Sequence, residues 1–134
     1  MNSYELNHFI GSSQRLILSC ALRGAEGSYF RRVLDDLSDR VAQMPRVGAN
    51  APTCDPNSET VHLHYFMGSR HWYVLARDAS HVQEQAYGVC RWGSEEPEEA
   101  GYFPLNVLLS AGAELDMYFE PTPLAELKRA WARE

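Results

Sequence analysis

The sequence predicts an α+β domain: an antiparallel sheet of about five strands, with N-terminal helices and a C-terminal helix packed on it. Three observations predict it. Apolar residues recur with a helical period up to Met44. From Thr60 the period switches to two. Helices come first and strands follow, an order that favours α+β over an alternating parallel sheet and places the helices on one face. The 134 residues form one expected domain, helical over 1–45 and strand-rich over 60–134. A chain of that length buries roughly two-thirds of its unfolded surface, so it needs no disulfide or metal to fold.

The elements follow in order. Asn2 or Ser3 is positioned to cap a first turn bearing Tyr4, Leu6, Phe9 and Ile10. After Gly11, Ser12 or Ser13 opens a helix to Arg23, with Leu16, Ile17, Cys20 and Ala21 on one stripe and Gly24 beyond its end. Gly27 and Ser28 open the next helix. Its apolar positions Tyr29, Phe30, Val33, Leu34, Leu37, Val41 and Met44 fall on one face, and Pro45 ends it. Arg46 to Glu59, rich in Pro, Gly and Asn, reads as a long loop. Thr60–Phe66 and His71–Arg77 read as a hairpin, Gln83–Trp92 as a third strand, and Ala100–Phe103 as a short fourth. Pro104–Ser110 is a short helix stopped by Gly112, and Glu114–Glu120 a last strand. Thr122 is placed to cap a terminal helix with Pro123 at its first position and Leu124, Leu127 and Trp131 on its apolar face.

Twelve Lys and Arg against 18 Asp and Glu give a formal charge of −6, which disfavours direct nucleic-acid binding and suits a basic partner. The three cysteines, Cys20, Cys54 and Cys90, are too widely spaced for a zinc knuckle or a redox CxxC and read as free thiols of a reducing compartment. The first residues carry Glu5 and no long apolar run, so no signal peptide or membrane span is expected and the location reads as the cytoplasm.

Residue chemistry offers few sites. If Phe66 pairs with His71, then His62, His64 and His71 share one sheet face, where imidazoles can converge on a transition metal. No acidic ligand stands beside them in sequence, and the expectation is that no metal and no cofactor is bound. Cys90, Ser69 and Asp78 fit no nucleophile signature, and the glycines form neither a Walker A loop nor GxGxxG. No catalytic set emerges. The acidic run Glu95, Glu96, Glu98 and Glu99 around Pro97 is the most distinctive charged feature. Tyr87 and Trp92 are the aromatics expected to anchor a partner beside it, because rim charges alone add little affinity.

Leu63-His64-Tyr65-Phe66, Trp72-Tyr73, the acidic turn at Asp78, Ala86-Tyr87-Gly88, Gly101-Tyr102-Phe103 and the run from Glu114 through Leu124 resemble a family of uncharacterised domains. Those domains are found on plasmids, integrative elements and prophages of Gram-negative bacteria. Arg15 to Gly24 is similar to an extension of some relatives. The resemblance implies a mobile-element accessory protein of the bacterial host cytoplasm. Small acidic proteins of such elements resemble inhibitors of host defence, including anti-CRISPR and anti-restriction proteins. The leading expectation is therefore a non-enzymatic inhibitor that binds a host protein or ribonucleoprotein complex with a basic surface, an anti-CRISPR protein acting on CRISPR effector subunits. The alternatives are a small metal-binding protein or enzyme using the histidine face, and a plasmid-maintenance regulator.

Overall fold

A computed structural model describes residues 3–47, 59–80, 82–93 and 96–134. The element order is α1 (Ser3–Asn7), α2 (Ser12–Leu22), α3 (Gly27–Gln43), β1 (Thr60–Val61), β2 (Leu63–Met67), β3 (Arg70–Arg77), β4 (Ala86–Trp92), β5 (Glu99–Phe103), α4 (Leu105–Ala111), β6 (Glu114–Leu115), β7 (Thr122–Pro123) and α5 (Leu124–Ala132). The main sheet is five-stranded and antiparallel in the order β5-β4-β3-β2-β6, and β1 pairs with β7 in a separate ribbon. The α+β architecture expected from the periodicities is present.

The helices do not share one face. Leu6, Phe9, Leu37 and Val41 of the helical third pack with Leu63, Tyr65, Trp72 and Val74 of the sheet. On the other face Leu124, Leu127 and Trp131 of α5 pack with Val61, Tyr73, Leu75 and Val89. The central strand β3 is consequently buried on both faces from Trp72 to Arg77. Alternation of residue type alone suggests a half-exposed strand here, because His71 and Tyr73 are compatible with either environment.

Buried side chains fasten the helices to the sheet. The buried Tyr65 hydroxyl donates to the Phe9 carbonyl at 2.5 Å. Arg77 is wholly buried; its Nη1 donates to the Glu5 carboxylate and, at 2.9 Å, to the Val41 carbonyl, and its guanidinium lies over the Phe9 ring.

Several local expectations need correction. Leu16 and Ile17 of α2 are 66% and 63% exposed, Cys20 is exposed, and Leu18 is the residue that turns inward. Helical period alone cannot choose between two apolar stripes on one helix. The N-cap of α2 is the extended backbone of Gly11, with no side-chain cap from Ser12 or Ser13. The expected Glu114–Glu120 strand stops at Leu115. The Asp116 carboxylate accepts the Tyr118 N–H at 3.0 Å, and this local side-chain turn replaces ladder bonds. Thr122 and Pro123 pair with β1 rather than starting α5, which begins at Leu124 without a side-chain cap. The expected Asn2 cap, most of the long loop and Cys54 lie outside the described residues. No described helix is long and apolar enough to cross a membrane.

Candidate interaction hairpin and histidine cluster

The hairpin of β4 and β5 carries most of the residues singled out by charge. Glu96 and Glu99 are exposed and Glu98 is half-buried; Glu95 lies outside the described residues. Trp92, at the end of β4 that enters this turn, is 47% exposed. Its ring is covered on one side by the Arg70 guanidinium, 3.6 Å from the ring centre. Arg70 and Trp92 are direct cross-strand partners, which places the cation there.

Tyr87 is not part of this end. It lies five positions back along β4, about 17 Å at strand rise. It also faces the α5 side, whereas Cys90 packs with the helical third, so Trp92 and Tyr87 are on opposite faces. Tyr87 is half-buried and makes an edge contact with Tyr102, ring centres 5.1 Å apart. Tyr102 is the exposed member of that pair, at 51%, and it escaped selection from the sequence. The signal for it was present: once Ala86 is aligned with Phe103, Tyr102 must pair with Tyr87 on the edge strand.

The histidines divide. The register Phe66 with His71 and His64 with Tyr73 holds as expected. His64 and His71 meet beneath α5, with His64 Nε2 and His71 Nδ1 2.9 Å apart. His64 Nδ1 reaches the Asp116 carboxylate at 3.0 Å. A carboxylate only accepts, so His64 donates through Nδ1. In its neutral form His64 Nε2 then accepts from the Nδ1–H of His71. An acidic neighbour is thus present, 52 positions away in sequence, and the turn that ends β6 supplies it. Tyr73 stacks on His64 with ring centres 4.6 Å apart, and Trp131 of α5 packs on Tyr73 at 4.9 Å. Arg91, paired with Glu134, sits over Trp131.

His62 is elsewhere. The chain breaks between β1 and β2 at His62, and Val61 joins His64 on the α5 side. The period-two alternation therefore slips at His62, whose electrostatic neighbours are Arg40 and Glu59. Burial, with the Arg40 charge adding to it, lowers the His62 pKa. Burial also lowers that of His71, with the charges of His64 and Arg91 acting in the same direction.

Both ring nitrogens of His64 are engaged, and among the described residues no group of three or more His, Cys, Asp or Glu side chains is arranged to hold a metal ion. The Asp116–His64–His71 chain can pass a proton along its length. Cys90 lies on the other face of the sheet from this chain. Asp78 instead accepts the backbone N–H groups of Ser80, Glu84 and Gln85, which closes the β3–β4 connection and lowers its pKa despite the opposing effect of burial.

A cleft of about 350 Å³ between α1, α2 and α3 is floored by Leu6, Ile10, Leu18 and Leu34 and rimmed by Arg15, Arg31 and Asp35. It is separate from both groups. Comparison with protein-family models, with curated proteins and with solved structures finds no match to this chain.

Proposed function

We propose that this chain acts by binding a protein partner with a basic surface, and that the β4–β5 hairpin makes the contact. The observation that carries the reading is the grouping of Glu96, Glu98 and Glu99 with the exposed ring of Trp92 at the turn end of the hairpin, with exposed Tyr102 further along its opposite face, in a chain of formal charge −6. Carboxylates steer a basic surface into encounter, and aromatic side chains supply the desolvated contact that charge alone does not. Together with the resemblance to mobile-element domains, this supports an inhibitor of host defence acting on a nucleic-acid-handling complex, with CRISPR effectors the first class to test.

The test is plasmid interference in cells carrying each of a panel of defence systems, with and without this chain. The reading expects protection of the plasmid in at least one system. It expects that protection to be lost when Glu95, Glu96, Glu98 and Glu99 are all replaced by Gln. If no system is blocked, the inhibitor reading falls. If protection survives the four replacements, the contact surface moves to α3, where Arg31, Arg32, Asp36 and Asp39 are exposed.

A further inference from the structure

The two edges of the main sheet are closed to different degrees. At the β6 edge, Gln14 of α2 donates through Nε2 to the Leu115 carbonyl at 2.8 Å and accepts the Leu115 N–H through Oε1 at 2.9 Å. A side-chain amide offers the same donor and acceptor as a peptide unit, so Gln14 stands where the next strand would stand. At the opposite edge β5 pairs with β4 alone, and among the described residues no hydrogen bond from another element reaches it.

Register identifies the open groups. In an antiparallel ladder the N–H and C=O of one residue point to the same edge, and successive residues alternate. The His64 carbonyl accepts the Asp116 N–H at 2.8 Å, so His64 faces β6 and Tyr65 faces β3. Tyr65 is opposite Trp72, so Trp72 faces β2 and Tyr73 faces β4. Tyr73 is opposite Val89, so Gly88 and Cys90, its neighbours, face β5. Their partners Gly101 and Glu99 face back, which leaves Ala100 and Tyr102 with N–H and C=O directed outward. Both residues are exposed. An edge of this kind is a template for another strand unless it is blocked.

We propose that the outer edge of β5 takes up an extended, lysine- or arginine-rich segment of a partner protein as a further strand. The proposal rests on the hairpin being the contact surface and states how that contact is made. Charge selects the occupant. A second copy of this chain would bring two acidic hairpins of like charge together at the edge, which is repulsive. A basic segment instead runs alongside Glu98 and Glu99. Tyr102, backed by Tyr87, offers a ring to the residue opposite it on the incoming strand, and a cation is favoured at such a position.

The experiment measures fluorescence anisotropy with three labelled peptides and the intact chain. The first alternates Lys with Thr and Val. The second has the same sequence, N-methylated on the amides that face β5. The third carries Glu in place of Lys. The lysine peptide is expected to bind, the N-methylated one to bind at least about tenfold more weakly from the lost main-chain bonds, and the Glu peptide not to bind. Ala100→Pro, which removes one outward N–H on an edge where proline is tolerated, is expected to weaken the lysine peptide similarly. The N-methylated peptide keeps the test decisive if that variant folds poorly. Equal binding of the methylated and unmethylated peptides, with both lost on replacement of the four glutamates, overturns strand addition and leaves the hairpin surface standing. Absence of peptide binding overturns the strand proposal, while the interference result above stands or falls separately. Self-association in sedimentation that Ala100→Pro abolishes places a second copy on this edge and overturns the basic segment.

Discussion

Replacing Glu5 with Ala leaves the Arg77 guanidinium buried without its carboxylate. Arg77 has no exposed surface, and its Nε and Nη2 already lack hydrogen-bond partners. The Val41 carbonyl and the Phe9 ring remain, but neither carries the opposing charge. Arg46, 3.8 Å from the Glu5 carboxylate, would add like charge nearby. Removing one partner of a buried pair costs about 3–5 kcal/mol. The Glu5 side chain is 17% exposed, so the lower end, about 3 kcal/mol, is the expected value. That is a large share of the roughly 5–15 kcal/mol that holds a domain folded. With a urea slope of about 1.5 kcal/mol per molar, the unfolding midpoint falls by roughly 2 M. Fluorescence of the buried Trp72 reports the transition. The double variant Glu5→Leu, Arg77→Met removes both charges and is expected to recover to within about 1 kcal/mol of the original protein. A loss below about 1 kcal/mol for Glu5→Ala, or no recovery in the double variant, refutes the argument that this ion pair fastens α1 to the sheet.

Three further outcomes test other parts of the fold. Leu16→Gln with Ile17→Gln should change stability by no more than about 0.5 kcal/mol per residue, whereas Leu18→Ala should cost about 2–5 kcal/mol; denaturation curves of both settle which stripe of α2 is inward. Gly88→Ala should cost about 3 kcal/mol or more, because a Cβ there would lie 1.9 Å from the Tyr73 carbonyl oxygen, a backbone atom that cannot swing aside. Stability should fall as the pH drops below about 6.5, the unfolded histidine value. Lowered folded pKa values at His62 and His71 mean that the unfolded chain binds protons first. The stability is fully present above the unfolded pKa and is lost as pH falls from there toward the folded values. Thermal melts at stepped pH should show this slope, reduced in the His62→Gln, His71→Gln variant.

The legible parts of the fold were those set by local chemistry. The run from Phe30 to Met44 specifies a helix and its buried face, although Tyr29, expected on that face, is 38% exposed, and Pro45 specifies its end. The Gly68-Ser69 turn fixed the register of β2 on β3, and so placed His64 beside Tyr73. What sequence could not show depends on contacts distant along the chain. Leu16 and Ile17 look as apolar as Leu18, and only the position of α3 and the sheet decides which stripe is covered. Asp116 joined His64 because a carboxylate turn ended β6 early. Arg77 reads as a surface residue at a strand end, yet α1 and α3 close over it. The acidic residues of the hairpin were visible as a run in the sequence. The separation of Tyr87 from Trp92 by a sheet face was implicit in the five-residue spacing, because an odd interval along a strand inverts the side.

The central claim, that the acidic hairpin makes the contact, is tested most directly by association kinetics. The partner identified by plasmid interference is immobilised, and the association rate of this chain is measured from low to physiological salt, where charges are screened over about 8 Å. The account predicts a rate that falls steeply with salt for the original protein. It predicts a slower, nearly salt-independent rate for the folded variant with Gln at positions 95, 96, 98 and 99. The same rate and the same salt dependence in both proteins would contradict it.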